Sequence, residues 1–395
     1  MGACFGKEGS SSNNNNNPTT KSSNPNNNSR AHNNNNSTPQ QFDENDAMEE
    51  NANPNSGNYD VKLLLLGSGE SGKSTFFKQV RIISQRPFSE IERRRVKNTV
   101  HFNVVSSMAV MCQKLKDLNE HDQLSEELQQ CSERVLALSK NRSFMTSTNA
   151  ASKGGERNFY TEEIASDIEK LWNNELVQRV FQTHRNQVHV FDGAEYFFAR
   201  LDRIRSADYV PTEEDLLHCR QKTIGIVEVS FEFEGLKFSL FDVGGQRSER
   251  KKWVNCFEGV SAVVYVSSLA DYDLKMYEDD SLNRMDDSLN VFEGLCNGYF
   301  KETPIIIVLN KTDIFKKKLQ VHGIDTCFSD YKGDKSSYDE SVQFIRQKFL
   351  ALNKFDEQRI WMHDCCATST EDVRLVFDKI KHQVADWKKK HPHSK

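Results

Sequence analysis

The sequence predicts an α/β protein, a mostly parallel six-stranded sheet with an all-helical domain inserted into it. Three observations carry that prediction. Short apolar runs alternate with segments of helical periodicity along most of the chain. Two of those runs are separated only by Glu234-Gly235, which reads as a hairpin turn. The stretch from Phe76 to Cys219 contains no strand-like run, and its apolar residues recur at helical spacing, as in Val96, Val100, Val104, Met108, Met111 and Leu115.

The elements follow in order along 395 residues, a length that at about 150 residues per domain allows two or three domains. The apolar residues AVILMFWYC make up 36%, and even with 19 glycines this is below an ordinary globular share. The shortfall lies in residues 10–58, where asparagine runs such as Asn13 to Asn17 and Asn33 to Asn36 leave too little aliphatic surface to offset the entropy of ordering. Residues 1–58 are therefore expected to form a disordered Asn-rich tail. Val61 to Leu66 then reads as a strand buried on both faces, ending in glycine. Ile224 to Phe233 and Leu236 to Phe241 should form an antiparallel hairpin, followed by strands at Ala262 to Val266, Pro304 to Leu309 and Ile360 to Met362. Helical patterns at Ser288 to Phe300, Tyr338 to Leu352 and Thr370 to Trp387 lie between or after these strands, as parallel crossovers require. A connection as long as Phe76 to Cys219 is not a structureless loop. The expected division is an α/β domain of 59–89 and 214–395, with 90–213 as the helical insert.

Several function classes fall away. No apolar run approaches the roughly 18 residues of a membrane span, and Met1 to Gly6 lacks the apolar core of a secretory signal. Nine cysteines without a CxxC pair read as reduced thiols. A net charge of −5 argues against nucleic acid as a partner, and the basic clusters Arg93 to Arg95, Lys316 to Lys318 and Lys388 to Lys390 read as solvated faces or a tail.

Three motifs carry chemistry. Gly67-Ser68-Gly69-Glu70-Ser71-Gly72-Lys73-Ser74 matches the P-loop pattern between a strand and a helix. Its glycines let backbone N–H groups turn toward phosphates at a helix N-terminus; Lys73 reaches the β and γ phosphates, and the Ser74 hydroxyl ligates Mg²⁺. Asn310-Lys311-Thr312-Asp313 follows the strand Pro304 to Leu309, so it projects from a strand's C-terminal end. A buried carboxylate at Asp313 accepts from guanine N1–H and the 2-amino group, a donor pair that adenine lacks. Asp242-Val243-Gly244-Gly245-Gln246-Arg247 ends the strand Leu236 to Phe241. There Asp242 is placed to hold Mg²⁺ through a water, Gly245 to offer its N–H to a γ-phosphate, and Gln246 to orient the attacking water.

In this order the motifs resemble Ras-like P-loop GTPases, and the long helical interval after the P-loop resembles heterotrimeric G protein alpha subunits. The longer stretches Gly69 to Thr75, Asp242 to Trp253, Cys256 to Val260, Leu201 to Ile204 and Asn283 to Met285 are similar to that family as well, over roughly 60 to 387. The resemblance implies a guanine nucleotide switch that hydrolyses GTP to GDP with Mg²⁺. In Arg220-Gln221-Lys222-Thr223 it makes Arg220 the arginine finger in cis and Thr223 a second Mg²⁺ hydroxyl. Gln221 and Ile224 replace the valine and threonine usual there. Gly67, Gly69, Ser71, Gly72 and Thr75 join the nucleotide-binding set. Glu70 either pairs with the cis arginine, as in the family, or is a solvated glutamate. Cys365-Cys366-Ala367-Thr368 resembles the loop whose alanine N–H, here Ala367, contacts guanine O6, with Cys365 replacing a threonine and favouring faster GDP release.

The implied partners are a beta-gamma dimer, a G-protein-coupled receptor, an effector the sequence does not name, and the cytoplasmic face of the plasma membrane. Gly2 and Cys4 are the expected myristate and palmitate sites, although Gly6 stands where the motif wants Ser or Thr. The Asn-rich tail holds the place of the family's docking helix, with only Phe42 to Glu50 helix-like, and the chain ends in a lysine-rich rather than apolar segment. Those departures leave a guanine-nucleotide scaffold without receptor or beta-gamma coupling as the alternative. A P-loop ATPase or kinase is a further rival, against which Asp313 argues.

Overall fold

The computed structural model describes residues 59–391 apart from 142, 143, 145–158 and 277. The Asn-rich tail, the Phe42 to Glu50 segment, Gly2 and Cys4 all lie outside the described residues. Those that are described belong to one compact unit, Met48–Lys395.

Six strands form one sheet: β1 (Val61–Leu66), β2 (Ile226–Phe233), β3 (Leu236–Val243), β4 (Ala262–Ser268), β5 (Ile305–Asn310) and β6 (Ile360–Asp364). Their spatial order is β2-β3-β1-β4-β5-β6. Only β2 with β3 is antiparallel; every other pairing is parallel. Because β1 is flanked by β3 on one side and β4 on the other, the chain after β1 emerges at the point where the order reverses, which is where such sheets bind ligands.

The central strands are apolar on both faces, as a sheet covered on both sides demands. Leu64 and Leu66 of β1 pack on one face with α9 (Arg284–Gly294), α10 (Thr312–Leu319) and α11 (Tyr338–Leu352). Leu63 and Leu65 pack on the other with α1 (Lys73–Ile83) and α12 (Thr370–Lys390). All four leucines are fully buried, so truncating one to alanine should cost about 2–5 kcal/mol.

Between α1 and β2 the described chain is helical: α2 (Glu90–Asp117), α3 (Glu126–Ser139), α4 (Glu162–Trp172), α5 (Glu175–His184), α6 (Ala194–Phe198), α7 (Leu201–Ile204) and α8 (Glu213–His218). Its apolar residues form a hydrophobic cluster of their own, from Phe88 to Cys219. Ser89 and Glu92 form a reciprocal capping box that fixes the start of α2, and Val96, Val100, Val104, Met108, Met111 and Leu115 lie along its buried side.

Some boundaries differ from the sequence expectation. β2 begins at Ile226, not Ile224, because Gly225 adopts φ +79° and breaks the extended chain, leaving Ile224 70% exposed. β3 continues through Val243, so Asp242 is held within the strand opposite Leu65 and not past its end. The helix expected at Ser288 to Phe300 starts earlier, at Arg284, where the Asn283 side chain accepts from the Met285 N–H. It gives way to a π-turn at Leu295–Tyr299. Among the described residues no helix is long and apolar enough to cross a membrane.

Candidate functional site

A cleft of about 750 Å³ opens at the C-terminal ends of β1, β3 and β5. It is lined by the P-loop, by 310–313, by 366–368, by 217–223 and 244–246, and by helical residues between 178 and 200. The P-loop turns because Gly72 takes φ +97°, and a Cβ there would lie 2.1 Å from Asn310 Nδ2. Glu70 carries a positive φ of 63° without being glycine, a strain of the kind that collects at functional loops.

On the phosphate side, Lys73 is buried and donates to the carbonyls of Gly67 at 3.1 Å and Ser68 at 2.7 Å. Burial lowers its pKa to about 8. Gly245 lies close above it: a Cβ on Gly245 would stand 2.2 Å from Lys73 Nζ. Ser74 Oγ, Thr223 Oγ1 and Asp242 Oδ2 converge, with Ser74 to Thr223 at 2.5 Å, Ser74 to Asp242 at 2.8 Å and Thr223 to Asp242 at 3.2 Å. Burial pushes the Asp242 carboxyl up, opposed by Lys73 and the two hydroxyls. Asp242 Oδ1 is buried without a protein partner. Two hydroxyls and one carboxylate with an orphaned oxygen fit a hard cation such as Mg²⁺, which takes its remaining oxygens from phosphates and water.

Glu70 is paired, with about a quarter of its side chain open to solvent. Its carboxylate pairs with Arg220 through Oε1 and with Arg284 Nη1 through Oε2 at 2.7 Å. Burial raises the Glu70 pKa, but Arg284 and Arg220 together hold it below the usual carboxylate range. Gln246 packs over the P-loop, where a Cβ on Gly69 would meet its Cγ at 3.4 Å. The turns after Gln246 are braced: Trp253 Nε1 donates to Gly244 O at 2.7 Å, and Arg250 Nε donates to Gly245 O at 3.0 Å while its guanidinium forks onto Asp287.

On the other side, Asn310 ties two loops together. Its Nδ2 donates to Ser71 O at 2.8 Å, and its Oδ1 accepts from the Ala367 N–H at 2.9 Å. The N–H expected to face guanine O6 is thus directed at Asn310. Asp313 lines the cleft at the start of α10, but it is exposed and not buried as the sequence argument assumed. The expected discrimination against adenine would therefore require the base itself to cover the carboxylate. Lys311, with φ 62°, reaches across to Asp192 of the helical segment at 2.7 Å and faces Asp271 at 3.8 Å. Thr75 Oγ1 donates to Leu217 O at 3.3 Å.

Sequence reasoning missed the partners that hold this frame: Arg284, Asp287, Asp192 and the Lys78 amine, which donates to Leu216 O at 2.8 Å and to Gln221 Oε1 at 3.1 Å. Each is a lone charged residue within a helix or loop. Only the buried register of α1, in which Lys78 sits two residues past Phe76, carried a signal for one of them.

Comparison with known proteins accords with this geometry. A sequence profile of the G-protein alpha subunit family matches residues 32–384. The chain is 40% identical over 321 residues to the guanine nucleotide-binding protein alpha-3 subunit of Caenorhabditis elegans, covering 81% of this chain and 87% of that protein. It is 39% identical over 322 residues to the guanine nucleotide-binding protein alpha-2 subunit of Dictyostelium discoideum, covering 82% and 87%. A match across most of the chain, joined to a P-loop whose hydroxyl meets Thr223 and Asp242 at the reversal of a six-stranded sheet, places this chain in the G-protein alpha subunit family, the signal-transducing alpha subunits of heterotrimeric G proteins.

Proposed function

We propose that this chain binds GTP with Mg²⁺, hydrolyses it to GDP and phosphate, and changes the conformation of two segments as it does so. Members of the family are in general GTPases. The observation that carries the reading for this chain is the convergence of Ser74, Thr223 and Asp242, which lie far apart in sequence, beside Lys73. Mg²⁺ held by Ser74 and Thr223, with Asp242 behind them, would neutralise charge on the β and γ phosphates. The P-loop N–H groups and Lys73 bind the phosphates. Arg220, already lying against the P-loop on Glu70, supplies positive charge to the transferring phosphoryl, and Gln246 orients the attacking water. These two roles are those of the class as a whole. Thr223 and Gly245 sense the γ-phosphate, so the segments around them order with GTP and relax after hydrolysis. We read 90–213 as an inserted domain that closes the cleft.

The same reading extends to partners. Ile224 and Val254 are large apolar side chains, 70% and 53% exposed, in the two mobile segments, which suits a face that beta-gamma or an effector covers. Lys388, Lys389 and Lys390 end α12 in a basic turn suited to an acidic receptor pocket. Lipid on Gly2 and Cys4 would hold the protein at the cytoplasmic face of the plasma membrane.

The test is nucleotide competition together with single-turnover hydrolysis by Gln246→Leu. Unlabelled GDP should displace bound GTP while ATP does not, and the variant should bind GTP but hydrolyse it roughly 10²-fold more slowly. Displacement by ATP, or hydrolysis at the parent rate in the variant, would refute the proposal.

A further inference from the structure

Arg220 sits on a connecting segment between α8 and β2, so its backbone has no ladder to fix it. Its fixing comes from the middle of the longest helix. Asn103, fourteen residues into α2 and 6% exposed, accepts from the Arg220 N–H through Oδ1 at 2.8 Å and donates through Nδ2 to the Arg220 carbonyl at 3.3 Å. The Cys219 thiol donates to the same Oδ1 at 3.4 Å. One carboxamide thus pairs with both backbone groups of one residue, much as a neighbouring strand would.

We infer that Asn103 is a positioning residue for hydrolysis, holding the backbone of Arg220 so that its guanidinium reaches the reacting phosphate. The inference rests on the proposed role of Arg220 and adds a residue from the helical segment to it.

Three physical arguments support it. A buried asparagine beside Val100 and Val104 in a hydrophobic cluster costs free energy unless its amide is satisfied. The amide is satisfied by the backbone of Arg220 and not by its own helix. The neighbouring tethers hold the segment from the other side: Lys78 reaches Leu216 and Gln221, and Thr75 reaches Leu217, all from α1. Asn103 acts on the backbone of Arg220 itself, as Glu70 does on its guanidinium. Finally, the arginine side chain is long, so a small rotation of its backbone is amplified at the guanidinium, and a misplacement on the order of 1 Å can cost 10²-fold in rate. Aspartate at 103 keeps an acceptor for the Arg220 N–H but turns an anionic oxygen on its carbonyl; alanine removes both bonds.

The experiment is a double-mutant cycle on the full chain: parent, Asn103→Ala, Arg220→Ala and the combined variant, each preloaded with GTP and followed for phosphate release in a single turnover, with affinity for GTPγS measured alongside. Asn103→Asp serves as an isosteric second variant should alanine impair folding. The expected result is a loss of about tenfold in hydrolysis for either Asn103 variant in the Arg220 background, GTPγS affinity within about twofold of the parent, and no further loss once Arg220 is alanine. A merely structural role would instead lower hydrolysis by the same factor in both backgrounds, or lower GTPγS affinity in step with it, and either result overturns the inference, as does a parent rate in both Asn103 variants. Arg220→Ala hydrolysing as fast as the parent would overturn the role of Arg220 first, and the inference with it.

Discussion

The sheet half and the helical half of the molecule treat their buried polar side chains differently. In the sheet half several of these side chains gather at or beside the cleft where the strands end: Lys73, Asp242, Asp271 and Asn310 are all within 5% of full burial. Their pairing is incomplete, since Asp242 Oδ1, Asp271 Oδ2 and Ser71 Oγ have no protein partner. In the helical half, Asp167 takes both oxygens to Arg134 at 2.7 Å, and His101 stacks on Tyr160 at 4.3 Å with Nε2 on the Ile204 carbonyl. These two charged or titratable groups have found their partners within the fold, while the orphaned atoms of this half, Ser106 Oγ, Tyr160 Oη and Asn186 Oδ1, are scattered. Several unpartnered oxygens gathered around one phosphate loop mark ligand chemistry, whereas paired charges inside a helical core mark architecture. Asn103 of α2, Asp192 of the turn before α6 and Arg220 of the connection between α8 and β2 stand at the seam.

Breaking the ligand side of that contrast should have the largest effect. If Asp313 accepts from guanine as proposed, Asp313→Asn loses one of two charge-assisted hydrogen bonds, leaves the other neutral and turns an amide donor on the base, so GTP affinity should fall by roughly 10²-fold. Xanthosine triphosphate should become the better competitor in a displacement assay. Unchanged selectivity would separate Asp313 from base recognition.

The architectural side predicts a pH effect. Burial keeps His101 neutral and lowers its pKa to about 4, with Lys97 adding to that shift. The unfolded chain takes up this proton near the ordinary histidine value of about 6.5, the folded chain only near 4. Stability is therefore level above about pH 6.5 and declines as pH falls toward 4, by at most about 3 kcal/mol from this group. In urea unfolding, His101→Gln should flatten that slope; the same slope in the variant would assign it elsewhere.

At the seam, Asp192→Ala removes the carboxylate that reaches Lys311. The aspartate is partly open to solvent, so the pair is worth about 1 kcal/mol and GDP release should quicken only about fivefold. The smallest effect is spectroscopic. Trp253, buried and bonded to Gly244 O, should change its fluorescence when GTPγS replaces GDP. A flat signal with confirmed nucleotide uptake would mean that this segment does not move.

The sequence was legible where a local pattern carries the physics. Apolar runs located all six strands, and the Glu234-Gly235 turn located the hairpin, with both residues at positive φ. The motif residues were legible because a phosphate loop and a strand-end aspartate need particular residue types at fixed spacing. What the sequence could not convey is pairing across long separations. Nothing local connects Glu70 with Arg284, Lys311 with Asp192 or Asn103 with Arg220, because each pair is brought together only by the crossovers and the insert. The exposure of Asp313 was misjudged for a related reason: the turn of α10 after Lys311 opens the carboxylate to the cleft, and a motif does not specify its own burial. A solvated face describes Arg94, which pairs with Glu90 in an exposed first turn, but not Lys318, which is largely enclosed against Asp273.

Arg220 is expected to reach the transferring phosphoryl of a nucleotide held by the sheet half. This is tested most directly by single-turnover phosphate release from protein preloaded with GTP in Mg²⁺, comparing the parent with Arg220→Cys. The expected result is retained GTP binding and hydrolysis slower by roughly 10²-fold or more in the variant. Equal rates in the two proteins would contradict it.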